Sequence, residues 1–481
     1  MVRDPFLPIE VSFLFCRRMI AQRRPKTNMH CDFLPKAAGR DSPQRNTARW
    51  WLAPAVIILL PVLGSFTAWA SLIGWCSTRM CPAGSLLNLR GFLQPAPFTI
   101  AGATLLAVWY GLVVVLATIG WRLGLGTTTA REFVERTSSA NFERRYFFLI
   151  LAVSTIGVAY AYYRITAATS IVDALTTQTG NAFTEALPDS AGIATLRYAT
   201  ILAAPISVYL WRKKVLHPGF VLWAVLLLVA NSMVASRLSL LMAVVVYIVL
   251  QAAVPRKSAT TDRKSLRPWH IVTAVAIMFL MLTALNYVRN GNYYRDAGVS
   301  NPVAMNLYQS GAYLAVPAQV SMGVSDAIMR GTFDRPGSAV VSVSAALPSF
   351  LVPAHEVRAK ESLGADSYDF SVSFAPNFTT NSEFADIYAD FGAWGWLYTL
   401  LLFPLAGYVF GRFLTYGPVI AGSAGVIAYC FAEVWRIQLL TQGITVFLVL
   451  LTLVCVFVAA RGQSPGKLED MVSRGNVKSS D

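Results

Sequence analysis

Beyond residue 50 the chain alternates long apolar runs with short polar gaps. Ten runs stand out, at approximately 52–74, 98–121, 146–167, 196–212, 219–235, 238–254, 270–288, 394–412, 416–434 and 438–460. Each is close to the ~20 residues a helix needs to cross a bilayer. Residues 219–254 are almost unbroken and too long for one crossing. Ala235-Ser236-Arg237-Leu238-Ser239 divides them, which predicts a tight hairpin with Arg237 at its tip. The pattern predicts an all-α polytopic membrane protein with about ten transmembrane helices. One gap is unlike the rest. Roughly a hundred residues, from Arg289 to Ala393, separate the seventh and eighth runs, and long connections are often functional. With amphipathic stretches at Val303–Val324 and Ala339–Val352, this gap reads as a folded cap on the outer face of the membrane. No internal repeat of the transporter kind is visible.

Composition agrees with this reading. Of 481 residues, 55% are hydrophobic and 14% charged, where soluble domains carry nearer a quarter charged. A net charge of +15 suggests nucleic acid until the basic residues are located. They lie in the gaps: Arg122, Arg131 and Arg136 after the second run, Lys213 and Lys214 after the fourth, Arg256 and Lys257 after the sixth, Arg412 after the eighth and Arg461 after the tenth. Every even-numbered exit is basic, so both termini are expected in the cytoplasm and the odd-numbered exits outside it. Residues 1–50 read as a basic, disordered cytoplasmic tail, 51–461 as the transmembrane domain, with 289–393 as its large outer loop, and 462–481 as a second cytoplasmic tail. Val11–Cys16 is too short for a signal-peptide core, and Met29 is a second candidate start. Cys76 and Cys81, in an outer gap, are either a disulfide or two unrelated thiols. Cys430 and Cys455 fall in apolar runs, where cysteine packs as a small hydrophobe.

The candidate chemistry lies towards the outer side. Arg237 is either an arginine snorkelling to the headgroups or a guanidinium fork for phosphate. Arg289 and Arg295 leave the seventh run where positive-inside sorting opposes arginine, as interface anchors or as a phosphate clamp. Arg436 lies three residues after Glu433 in the turn between the ninth and tenth runs, a spacing that allows an ion pair. Arg164 and Arg197 lie near outer ends with a weaker signal. Glu383, Asp386 and Asp390 share one helical face at i, i+3 and i+7, entering the membrane from outside. The alternative for Glu383 is a capping box with Thr380. Gly392 and Gly395 suit a close helix approach. His355 is either a general base or an ordinary loop residue. No metal-ligand spacing, phosphate-binding loop, nucleophile elbow or dinucleotide fingerprint is present, which argues against ATP-driven transport and metal-dependent hydrolysis.

Three features resemble the Wzy-type O-antigen polymerases, the oligosaccharide repeat-unit polymerases of bacterial envelopes. They are Ser236-Arg237 before a leucine-rich span, the late large loop opened by an arginine cluster, and Glu383-Phe384-Ala385-Asp386-Ile387-Tyr388-Ala389-Asp390-Phe391-Gly392-Ala393-Trp394-Gly395 leading into the next span. The likeness runs over most of 50–460. It implies a glycosyltransferase-C-like enzyme of the bacterial inner membrane that needs no cofactor and no nucleotide sugar. Its donor is a glycan on undecaprenyl pyrophosphate and its acceptor a second lipid-linked repeat unit. A chain-length regulator is an implied partner, beside the bilayer, and nucleic acid is not. On this reading Arg237, Arg289, Arg295 and Arg436 bind pyrophosphate. The base is Glu383 first, with its neighbour Asp386, and His355 second. An O-antigen ligase of the same architecture, a polysaccharide flippase or other transporter, and a scaffold protein are the competing readings.

Overall fold

The computed structural model describes residues 50–77, 99–127, 131–170, 193–235, 238–254, 300–332 and 382–461, with eight further residues between 279 and 295. All of them belong to one unit, Ala48–Asp481. The regular elements among the described residues are helices. They are α1 (Pro54–Ser77), α2 (Ile100–Gly126), α3 (Arg131–Thr137), α4 (Ala140–Ala168), α5 (Thr200–Arg212), α6 (Pro218–Ala235), α7 (Leu238–Ala253), α8 (Pro302–Met329), α9 (Glu383–Phe391), α10 (Gly395–Leu414), α11 (Pro418–Glu433) and α12 (Gly443–Arg461). A 3-10 turn, Ile193–Ala199, leads into α5.

Among the described residues, six helical segments are long and apolar enough to cross a membrane, and three shorter apolar helices, Pro218–Val234, Leu238–Ala253 and Pro418–Glu433, accompany them. The chain is thus an α-helical membrane protein. Nine of the ten apolar runs coincide with helices; most of the seventh, 270–288, lies outside the described residues. Local chemistry sets several helix starts. Thr99, Ser139 and Ser382 accept hydrogen bonds from N–H groups three residues on, and Asn301 caps α8 just before Pro302.

The packing defines helix directions. α2 and α10 run parallel and nearly touch through Gly120, Gly124, Gly407 and Gly411. A Cβ on Gly120 would lie 2.0 Å from the Pro404 carbonyl oxygen, and one on Gly407 2.2 Å from that of Ala117. These are two small-xxx-small steps, which let helix backbones approach where lipid supplies no hydrophobic drive. α7 and α11 run antiparallel, with Gly425 against Val246 and Gly422 against Leu250. α4 and α6 run parallel: Trp223 Nε1 donates to Thr155 Oγ1 (3.2 Å) and the Tyr162 hydroxyl to the Ala230 carbonyl (2.9 Å). α5 returns beside α4, where Tyr209 and Lys213 both donate to the buried Glu143 carboxylate (3.1 and 2.7 Å). One end of the bundle is basic. There Arg412 reaches the Thr127 carbonyl (3.0 Å) and Lys213 closes on Glu143.

α8 lies within the stretch expected to form an outer cap. It packs along α1 and α2. Ser65 Oγ donates to the Leu314 carbonyl (2.6 Å), and Trp69 Nε1 to Gln319 Oε1 (2.6 Å). Every residue from Ala315 to Asp326 is buried. The stretch is therefore not two-faced in its second half. Its Ser and Gln side chains, which mark it as too polar for a span, are turned into the protein and find partners there.

Candidate functional site

The carboxylate segment forms a short helix that folds back on α10. Ser382 caps α9, accepting from the Ala385 N–H (3.0 Å). Glu383 is therefore the first helical residue and not the third, which removes the capping box with Thr380. Gly392 reverses the chain at φ +54, a conformation that favours glycine. The Phe391 and Tyr398 rings stack at 4.2 Å. A Cβ on Gly395 would press against Ile387 of α9 at 2.8 Å, so this glycine serves the α9–α10 fold-back.

That fold-back places Glu383 at depth. The Phe384 ring lies 5.4 Å from Trp109 of α2, whose indole N–H donates to Thr399 Oγ1 (3.3 Å). Trp109 is nine residues inside α2, about 13 Å from its start at the α-helical rise. The connection between α11 and α12 meets α9 at this level. The Glu383 N–H donates to the Val434 carbonyl (3.3 Å) and the Gln438 N–H to Asp386 Oδ2 (3.2 Å). The Gln438 amide goes on to Tyr398 and Thr441 (both 3.0 Å).

Two groups here are held in unusual states. Glu383 is fully buried, and neither carboxyl oxygen has a hydrogen-bond partner among the described residues. Burial, helped by the negative charge of Asp386, drives its pKa well above the ordinary carboxylate range, so the neutral acid is favoured. Arg436 is tied by one corner only. Its Nε donates to Glu433 Oε2 (2.5 Å), and its guanidinium lies over the Tyr313 ring of α8 at 5.3 Å. The side chain is 14% exposed, and its two terminal nitrogens make no hydrogen bond among the described residues. A planar fork held at its stem and open at its tip suits an anionic oxygen pair.

The structure thus brings together Glu383, Asp386, Glu433 and Arg436. The expected Glu433–Arg436 pair is present, in a turn and not along one helix. Arg295 is exposed; its Nε donates to the Gly291 carbonyl (3.2 Å) and its guanidinium lies 5.8 Å from the Tyr287 ring. Arg197 is buried and bonds locally, to the Ala194 carbonyl (3.1 Å) and the Tyr198 hydroxyl (3.0 Å). Arg164 contacts Tyr160 (3.4 Å). Arg237, Arg289 and His355 lie outside the described residues, as do the side chains of Asp390, Cys76 and Cys81. Cys430 and Cys455 are buried thiols, as expected. Sequence reasoning passed over Tyr313, because an aromatic in a half-polar stretch carries no signal until Arg436 is seen above it.

No protein-family model, curated protein or solved structure matches the chain.

Proposed function

We propose that this protein polymerises undecaprenyl-pyrophosphate-linked oligosaccharide repeat units at the outer face of the bacterial inner membrane. It would do so as a glycosyltransferase-C-like protein of about ten spans with both termini cytoplasmic. The observation that carries this reading is one juxtaposition. A buried, unpartnered carboxyl (Glu383) opens α9, and its N–H bonds the Val434 carbonyl, two residues before the guanidinium fork of Arg436.

The chemistry follows from those two groups. The acceptor hydroxyl attacks the anomeric carbon of the donor glycan. The new glycosidic C–O bond forms as the bond to undecaprenyl pyrophosphate breaks. Glu383, ionised when the acceptor approaches, takes the hydroxyl proton, and the electron pair leaves on pyrophosphate. A carboxyl with a raised pKa is a stronger base than an ordinary one, and such proton transfer contributes about 10²–10⁴-fold. Arg436 faces the developing negative charge, where a low-dielectric setting enlarges its effect. Asp386 holds the Gln438 N–H and keeps α9 against the turn. Arg237, at the expected tip between α6 and α7, is the second cation this reading assigns to pyrophosphate.

The test uses purified protein in liposomes with lipid-linked repeat units. Elongated glycan from wild type, absent with Glu383→Gln and with Arg436→Ala, is the expected result. No elongation by folded wild type would end the polymerase reading. Transfer only to added lipid A core would make the protein a ligase. Movement of labelled lipid-linked sugar across sealed vesicles without elongation would make it a transporter.

A further inference from the structure

α8 has the length and position of a membrane-crossing helix, although its composition disguises it. Its 28 residues span about 42 Å. Three contacts fix its direction. Leu314 lies beside Ser65, Gln319 beside Trp69, and Ser325 and Asp326 beside Gly102 near the start of α2. Numbers rise together along α1 and α8 and oppose each other between α2 and α8. The Phe66 and Tyr110 rings, 6.2 Å apart, tie α1 to α2 at the same level. α8 is therefore parallel to α1 and antiparallel to α2.

The level of its first residue follows. Pro302 is twelve residues before Leu314, about 18 Å back along the helix. Pro54 is eleven residues before Ser65, about 16 Å back along α1. The two helices start at one height. That height is the end of the bundle to which α2 descends, with Arg122 and the Arg412–Thr127 contact.

We infer that α8 crosses the bilayer from the basic end of the bundle to the opposite end, so that residues 300 and 332 face opposite aqueous compartments. Its polar residues are the reason it escapes a hydropathy reading. Gln319, Ser321, Ser325 and Asp326 are buried against protein and not lipid. Asn306, 1% exposed with both amide atoms unpartnered among the described residues, lies in the half nearer the basic end. Two consequences follow. The expected outer loop of 289–393 shrinks to the connection after Met329. Val254 after α7 and Ser300 before α8 then lie at the same end of the bundle.

The experiment places single cysteines at Ser300 and Thr332, both exposed, in a full-length protein whose six native cysteines are replaced. A membrane-impermeant maleimide is applied to intact spheroplasts and to inverted vesicles. Thr332→Cys should label only in spheroplasts and Ser300→Cys only in inverted vesicles. Labelling of both from one side overturns the inference and restores the outer cap. A position labelled from neither side overturns it too, because both must reach water. Protease sites inserted at the same two positions in the native-cysteine background give the same comparison if cysteine replacement impairs folding. Neither readout depends on polymerase activity.

Discussion

At the scale of the residue, Glu383 sets stability and chemistry against each other. An unsatisfied buried polar group costs about 1–3 kcal/mol. With its pKa raised, the folded state holds a proton that the unfolded state releases. The stability linked to that proton is fully present below the unfolded carboxyl value. It falls as pH rises through the folded one. Glu383→Gln removes the titration. Its thermal midpoint in detergent should exceed that of wild type at pH 8, with the difference shrinking towards pH 4, while polymerisation falls about 10²–10⁴-fold. A wild-type to variant difference that does not change with pH would show that Glu383 is not held neutral. Arg436 predicts the reverse order of effects. Arg436→Ala strands Glu433, 10% exposed, without its partner, a loss of about 3–5 kcal/mol for a buried pair. Adding Glu433→Gln should restore most of the stability and none of the activity. Restored activity in the double variant would remove Arg436 from the pyrophosphate site. Glu383 and Arg436 were both visible in the sequence as oddly placed charges. That only one of them is paired was not visible, because pairing depends on which turns meet.

At the scale of the element, the α2–α10 contact is the tightest test of the packing. Gly407→Ala puts a methyl 2.2 Å from backbone, which no rotamer change relieves. Overpacking of this kind costs about 1–3 kcal/mol. Gly111→Ala, in the same membrane region with nothing within 4 Å, should be neutral or stabilising, since glycine inside a helix is about 0.5–1 kcal/mol less favourable than alanine. Equal midpoints for the two variants would show that α2 and α10 do not meet through these glycines. The Gly-x-x-x-Gly steps stand in the sequence, yet nothing there pairs one with the other. The α9 segment was legible as a helix with Glu383 and Asp386 on a shared face. Its cap was left open between a Thr380 capping box and a free Glu383, and the structure caps the helix with Ser382.

At the scale of the whole molecule, the apolar runs themselves determined the most. A stretch of ~20 apolar residues has its backbone bonds satisfied only as a helix in lipid, so helical membrane architecture followed from hydropathy alone. Nine of the runs became helices. Hydropathy failed at α8 for a physical reason: it scores each residue as though it faced lipid. A helix enclosed by protein can carry Gln and Ser at reduced cost: Trp69 of α1 bonds Gln319, and Ser310, Ser321 and Ser325 bond carbonyls of their own helix. The same holds for the site. Sequence by itself determined which charged residues stood next to apolar runs and that their charges needed an explanation. Only the tertiary structure decided that Glu383, Asp386, Glu433 and Arg436 belong together and that Tyr313 of α8 lies under the guanidinium. They come from three segments spread over more than a hundred residues, and bringing them together is the work of helix packing, which no local pattern encodes.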